Sequence, residues 1–206
     1  MPVVGDTLLV VQRLVLGVLF LAGQLPFAWR LQGAQSTARA MSEKPKHELV
    51  IQAYNDGLAG VRSRNPDVHL SLGKDSSVSE ERVLLVDYPE PTKDPAGRDV
   101  QCTAEHQDWT GERAISFQIK PNHPVVLSLS FIDRNGVVYT ARRDLKGGEW
   151  QKVRIPFDEI RPNPFFQPPN AKTGAPLDVS EVKFIAFAPQ DQTSGSLAIG
   201  KFVVSR

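Results

Sequence analysis

Past Lys46 the apolar positions recur with a period of two. Ile115, Phe117 and Ile119 interleave with Ser116, Gln118 and Lys120. Such alternation gives a strand one buried face and one wet face. No stretch beyond Lys46 carries a helical period of useful length, and turn residues come at the short intervals expected of a sandwich or barrel. The pattern predicts an all-β fold, an antiparallel β-sandwich.

The segments Val125 to Phe131 and Val137 to Leu145, joined by Asp133-Arg134-Asn135-Gly136, read as a hairpin. A two-residue turn would set Phe131 and Leu129 opposite Thr140 and Arg142, mixing apolar and charged side chains on one face. A three-residue turn with Gly136 left-handed pairs Phe131 with Tyr139 and Leu129 with Ala141, and so gives one apolar face. The second register is the predicted one. Its other face carries Ser128, Ser130, Thr140, Arg142 and Asp144.

Further strands are predicted at Trp150 to Ile155, stopped by Pro156, at Val182 to Ala188 and at Leu197 to Val204. Val182 to Ala188 is nearly continuous apolar and is expected at the centre of a sheet. Between them Ile160 to Pro176, with Pro162, Pro164, Pro168, Pro169 and Pro176, reads as an irregular excursion, and loops of that length are commonly functional or mobile. It carries Phe165 and Phe166, which either offer exposed apolar contacts or cover the end of the core.

The N-terminal part reads differently. Leu14 to Ala22 is an apolar run behind Arg13, broken by Gly23, Gln24 and Pro26, which is the layout of a secretory signal. The best small-x-small cleavage site, Ala38-Arg39-Ala40, lies far from the apolar run, so an uncleaved N-terminal membrane anchor is the alternative. No cysteine ends the run, which excludes a lipoprotein anchor. Residues 1–40 are therefore expected to be a signal peptide or anchor with a short linker, and 41–206 one binding domain of a secreted or periplasmic protein.

Composition narrows the function. With 24 basic against 23 acidic residues the chain has no long-range field favouring nucleic acid. Its single cysteine, Cys102, cannot form an intramolecular disulfide, a cysteine zinc cluster or a CxxC motif, and in Val100 to Ala104 it reads as a buried, inert thiol. GxSxG, HExxH and phosphate-binding glycine loops are absent. Glu105-His106-Gln107-Asp108 groups carboxylates with an imidazole, but on an alternating strand Glu105 faces away from His106, and Asp108 is expected to cap the turn into Trp109. Asp133, Asp144, Asp158 and Glu159 are not placed as a glycosidase pair. No catalytic residue, metal site or cofactor is predicted.

The order of the pieces resembles the galactose-binding-like jelly roll, in particular family-eleven carbohydrate-binding modules and the complex I intermediate-associated protein domain. The resemblance rests on Ala53-Tyr54-Asn55-Asp56-Gly57, Val83 to Tyr88, Asp108-Trp109-Thr110-Gly111, Phe131 to Gly136, Trp150 to Phe157 and Gly195 to Gly200. It implies a non-catalytic module that binds a polysaccharide or glycan, with a protein-interaction or assembly role as the alternative. It also implies that Trp109 and Trp150 pack the sandwich. These modules commonly hold a structural calcium through acidic residues, where this chain has Asn55 and Gly200, so the metal is expected to be lost unless Asp56 substitutes. The ligand-binding candidates are Arg142, Asp144, Ser128, Ser130 and Thr140 on the polar sheet face, with Tyr88, Phe165 and Phe166.

Overall fold

Alternation becomes strands throughout the computed structural model, which describes residues 48–75, 82–91 and 95–206. The apolar run and the Ala38 to Ala40 site lie outside the described residues. The strands are β1 (Glu48–Gln52), β2 (Val61–Ser63), β3 (His69–Lys74), β4 (Arg82–Tyr88), β5 (Val100–Thr103), β6 (Ala114–Pro121) and β7 (Val125–Asp133). They continue with β8 (Val138–Leu145), β9 (Gln151–Pro156), β10 (Arg161–Pro162), β11 (Val182–Pro189), β12 (Gly195–Ile199) and β13 (Phe202–Ser205). Pro95–Arg98 and Phe157–Glu159 are single 3-10 turns. No helix among the described residues is long and apolar enough to cross a membrane.

All the pairings are antiparallel and form two sheets. In the six-stranded sheet the order is β10-β8-β7-β11-β5-β2, which puts Val182–Pro189 in the interior as its apolar run predicts. In the seven-stranded sheet β6 pairs β12 and β13 along one edge and β9 along the other, with β4 and β3 beyond β12 and β1 beyond β13. The final predicted strand, Leu197 to Val204, is in fact broken at Gly200 and Lys201 into β12 and β13. There the Gly200 amide turns aside to donate to the Gln118 carbonyl at 2.8 Å. β2 is too short to show alternation, and β3, where Leu70 and Leu72 do alternate with His69 and Ser71, is not among the strands singled out from the sequence.

The hairpin register is the predicted one. Phe131 faces Tyr139, Leu129 faces Ala141, and Gly136 has φ +70°. Asp133, only 1% exposed, accepts the Asn135 and Val137 amides through one carboxylate oxygen and the Asp178 amide through the other. Its role is turn chemistry.

Between the sheets Leu127, Leu129, Phe131 and Phe187 meet Leu84, Ile115, Ile119 and Phe202 in one hydrophobic core. Each such side chain contributes about 1.5–3 kcal/mol of burial free energy. Trp109, fully buried, stacks on Phe157 and meets Phe131 edge-on, while its indole N–H donates to the His106 carbonyl at 2.8 Å. Cys102 is buried on β5, and burial pushes its thiol up to about 12, so it is an inert core residue at neutral pH.

Candidate binding groove

The outward face of the six-stranded sheet is built in rows set by strand register. Thr140 of β8 lies beside Ser130 of β7, which lies beside Ala186 of β11 and then Gln101 of β5. One step along, Arg142, Ser128 and Ala188 form the next row. Neighbouring strands are about 4.8 Å apart, so three residues in a row span about 10 Å. The two central strands carry only serine and alanine here, whereas β8 carries a long side chain. Small residues flanked by large ones leave a trough.

A wall rises on the β8 side. The Asn163 amide donates to the Val138 carbonyl at 2.8 Å, and the Gln167 side-chain amide pairs with the Val138 main chain, accepting its N–H at 3.0 Å and donating to its carbonyl at 2.7 Å. Gln167 thus imitates a strand residue on the edge of the hairpin. Further on, the buried Tyr139 hydroxyl lies 3.0 Å from the carbonyls of both Ala175 and Pro176. Between these anchors the Asn163 side chain accepts the Phe165 and Phe166 amides and turns both rings outward, 84% and 63% exposed. Apart from the two residues of β10, which pair with β8, the Ile160 to Pro176 segment is irregular as predicted, and it is strapped down at both ends.

The result is a groove of about 580 Å³ whose lining includes Ser128, Ser130, Thr140, Arg142, Phe165 and Phe166. Those sequence candidates come together. Two others do not. Asp144 is exposed on the same strand face beyond the groove. Tyr88 is buried in the seven-stranded sheet, 3% exposed, where its hydroxyl donates to Asp191 at 3.3 Å. Sequence reasoning missed Asp99, Asn163, Ala186, Ala188 and Gln190, which also line the groove. Ala186 and Ala188 did leave a signal, two small residues alternating with Ile185 and Phe187.

Electrostatics single out one side chain. Glu159 pairs with Arg143, and Asp99 lies 3.8 Å from Arg64. The Arg142 guanidinium has no hydrogen-bond or ion-pair partner among the described residues. Thr140 donates its hydroxyl to the Leu129 carbonyl at 2.9 Å, and Ser128 stands 3.4 Å from Thr140. The floor thus keeps free hydroxyl lone pairs beside an uncommitted cation.

Elsewhere the polar clusters are structural. The Glu105 to Asp108 stretch is no strand, because β5 ends at Thr103 and the chain then runs irregularly. Asp108 accepts the Thr110 amide at 2.9 Å, the expected turn role, and the hydrogen bonds of Thr110 hold its carboxyl below the usual range. In the corner where the resemblance implies a calcium, the Tyr54 and Asn55 carbonyls accept instead from Arg82 at 3.4 and 3.1 Å. The Gly200 carbonyl accepts the Tyr54 hydroxyl at 3.4 Å, and Asp56 is exposed. A guanidinium on those carbonyls does not fit a divalent cation. No group of three or more His, Cys, Asp or Glu side chains able to hold a metal occurs among the described residues.

No family model matches the sequence, and no curated protein matches it. Solved structures do resemble the fold. The family 11 carbohydrate-binding module of a cellulosomal cellulase of Clostridium thermocellum superposes with a TM-score of 0.59 at 19% identity, covering 78% of this chain and 95% of that one. The solution structure of CtCBM11 gives 0.64 at 18% identity, over 79% and 97% of the two chains. The fold is the galactose-binding-like jelly roll. An exo-β-agarase shares the jelly roll over 24% of its own length and 76% of this chain, at 14% identity and a TM-score of 0.52. Another structure of the Clostridium module holds a β-1,3-1,4-mixed-linked tetrasaccharide, with a TM-score of 0.59 at 19% identity over 76% of this chain and 94% of that one.

Proposed function

We propose that this jelly roll binds carbohydrate, without turnover, in the groove on its six-stranded sheet. The observation that carries the reading is the convergence of Arg142, Ser128, Ser130 and Thr140 with the exposed rings of Phe165 and Phe166 on one trough. Sugars present apolar C–H faces and hydroxyl edges, so a site needs flat apolar surface beside fixed polar groups. Both are present, carried by a rigid sheet and a loop anchored through Tyr139 and Gln167. The likeness to carbohydrate-binding modules, including one solved with a bound tetrasaccharide, supports the same reading. As an exported module, secreted or periplasmic, it would meet polysaccharide outside the cell, whether the leader is cleaved or kept as an anchor.

Thermal unfolding of the full chain with a panel of soluble glycans tests this, since a ligand that binds only the native state raises the midpoint. A rise with at least one glycan, abolished in a Phe165→Ala/Phe166→Ala double variant, is the expected result. No shift with any glycan overturns it. The exposure of the two phenylalanines also favours a second reading, in which the same loop docks a protein. Loss of a pulled-down partner on deleting Phe165 to Pro169, with no glycan effect, would decide for that reading.

A further inference from the structure

We infer that the sugar this groove selects is an anionic one, a glycan carrying a carboxylate or a sulfate ester, chelated by Arg142. The inference rests on the carbohydrate reading of the groove and names its ligand class. Among the described residues, each carboxylate that lines the trough is already matched by an arginine, Glu159 by Arg143 and Asp99 by Arg64. The floor of Ser128, Ser130, Ala186 and Ala188 is neutral. Arg142 is then the one charge lining the groove, among the described residues, that lacks a counter-ion.

A neutral sugar's hydroxyls can be met by neutral partners, whereas an anionic group needs the matching charge that the guanidinium alone supplies here. A planar carboxylate or a sulfate takes two parallel N–H donors from the guanidinium fork at once, and such charge-assisted pairs are about twice as strong as neutral ones. Arg142 stands in the same row as Ser128 and one step from Thr140, so an anionic group on it leaves the ring hydroxyls over those side chains. The phenylalanine wall on the β8 side is then free to meet the apolar ring face. Asp144, next outward on the same strand face, lies beyond the groove and opposes anion binding only from its end.

The test measures affinity of the full chain for polygalacturonate, for κ-carrageenan and for a neutral mixed-linkage β-glucan, at about 20 mM and about 500 mM salt. The expected result is a preference of about tenfold or more for an anionic polymer over the neutral one at low salt, falling at high salt. Arg142→Ala should bring that ratio close to one, and Arg142→Lys should restore only part of it, because an ammonium lacks the fork. Asp144→Asn should raise the ratio. Polygalacturonate and carrageenan separate carboxylate from sulfate recognition. Equal retention on all three polymers, or an anionic preference that survives Arg142→Ala, overturns the inference while leaving carbohydrate binding in place. No retention on any polymer overturns both.

Discussion

Two polar clusters in this molecule use similar residues to opposite ends. One is the groove around Arg142. The other lies at the tip of the sandwich, where Arg98 donates to the Asp191 carboxylate at 3.0 Å, to the Asp191 carbonyl at 2.7 Å and to the Thr193 carbonyl at 3.2 Å. His123 shares a 2.6 Å hydrogen bond with Asp191, and the Tyr88 ring lies under the Arg98 guanidinium. Gly195 completes this packing, because a Cβ there would come within 2.5 Å of the Tyr88 hydroxyl. At the tip each charge is spent inside the fold, pinning the 189–195 turn. In the groove an arginine is left open to solvent. Satisfied and buried polar groups hold structure, whereas an uncommitted group in a concavity is available to a ligand.

That contrast can be broken most severely by Arg98→Ala. Arg98 is 6% exposed, and removing one partner of a buried ion pair typically costs about 3–5 kcal/mol. Denaturant melts of the variant should show a loss near the lower end of that range, because Asp191 keeps His123 and Thr193. Tyr88→Phe removes a single hydroxyl and should cost about 1 kcal/mol in the same melts, with glycan affinity unchanged if Tyr88 serves structure alone.

Acid titration sharpens the comparison further. Burial pushes the Asp191 carboxyl up, but hydrogen bonds from His123 and Thr193 and the charge of Arg98 outweigh it and hold the group below its usual value. A depressed carboxyl contributes stability above its unfolded value of about 4, and that stability is lost as the pH falls through the folded value. Wild type should therefore lose stability more steeply below about pH 4 than Asp191→Asn, read as unfolding midpoints across pH. The smallest effect belongs to the groove. Arg142→Ala should change stability by no more than about 0.5 kcal/mol, as at other exposed sites without a partner. A large loss there would mean that Arg142 serves the fold after all.

The hairpin shows what could be read early. The alternation around Leu129 and Phe131, with Asn135-Gly136, was enough to choose between two registers, because a slip of one residue would have turned every buried side chain outward. Tyr88 shows the converse. It ends an apolar strand and reads equally as core or as site, and its assignment waits on Asp191, which lies 103 residues away.

Local pattern thus sufficed for the all-β class, the interior place of Val182–Pro189, the polar strand face with Arg142, and the buried thiol. Period, turn chemistry and burial act over a few residues and leave their mark along the chain. Three-dimensional packing was needed for the rest. Strand order set Ala186 and Ala188 beside Ser130 and Ser128 as a floor, and Tyr139 and Gln167 drew Phe165 and Phe166 over its edge. Distant salt bridges decided which charges were consumed, leaving Arg142 open. Such contacts join residues far apart in sequence, and no periodicity encodes them.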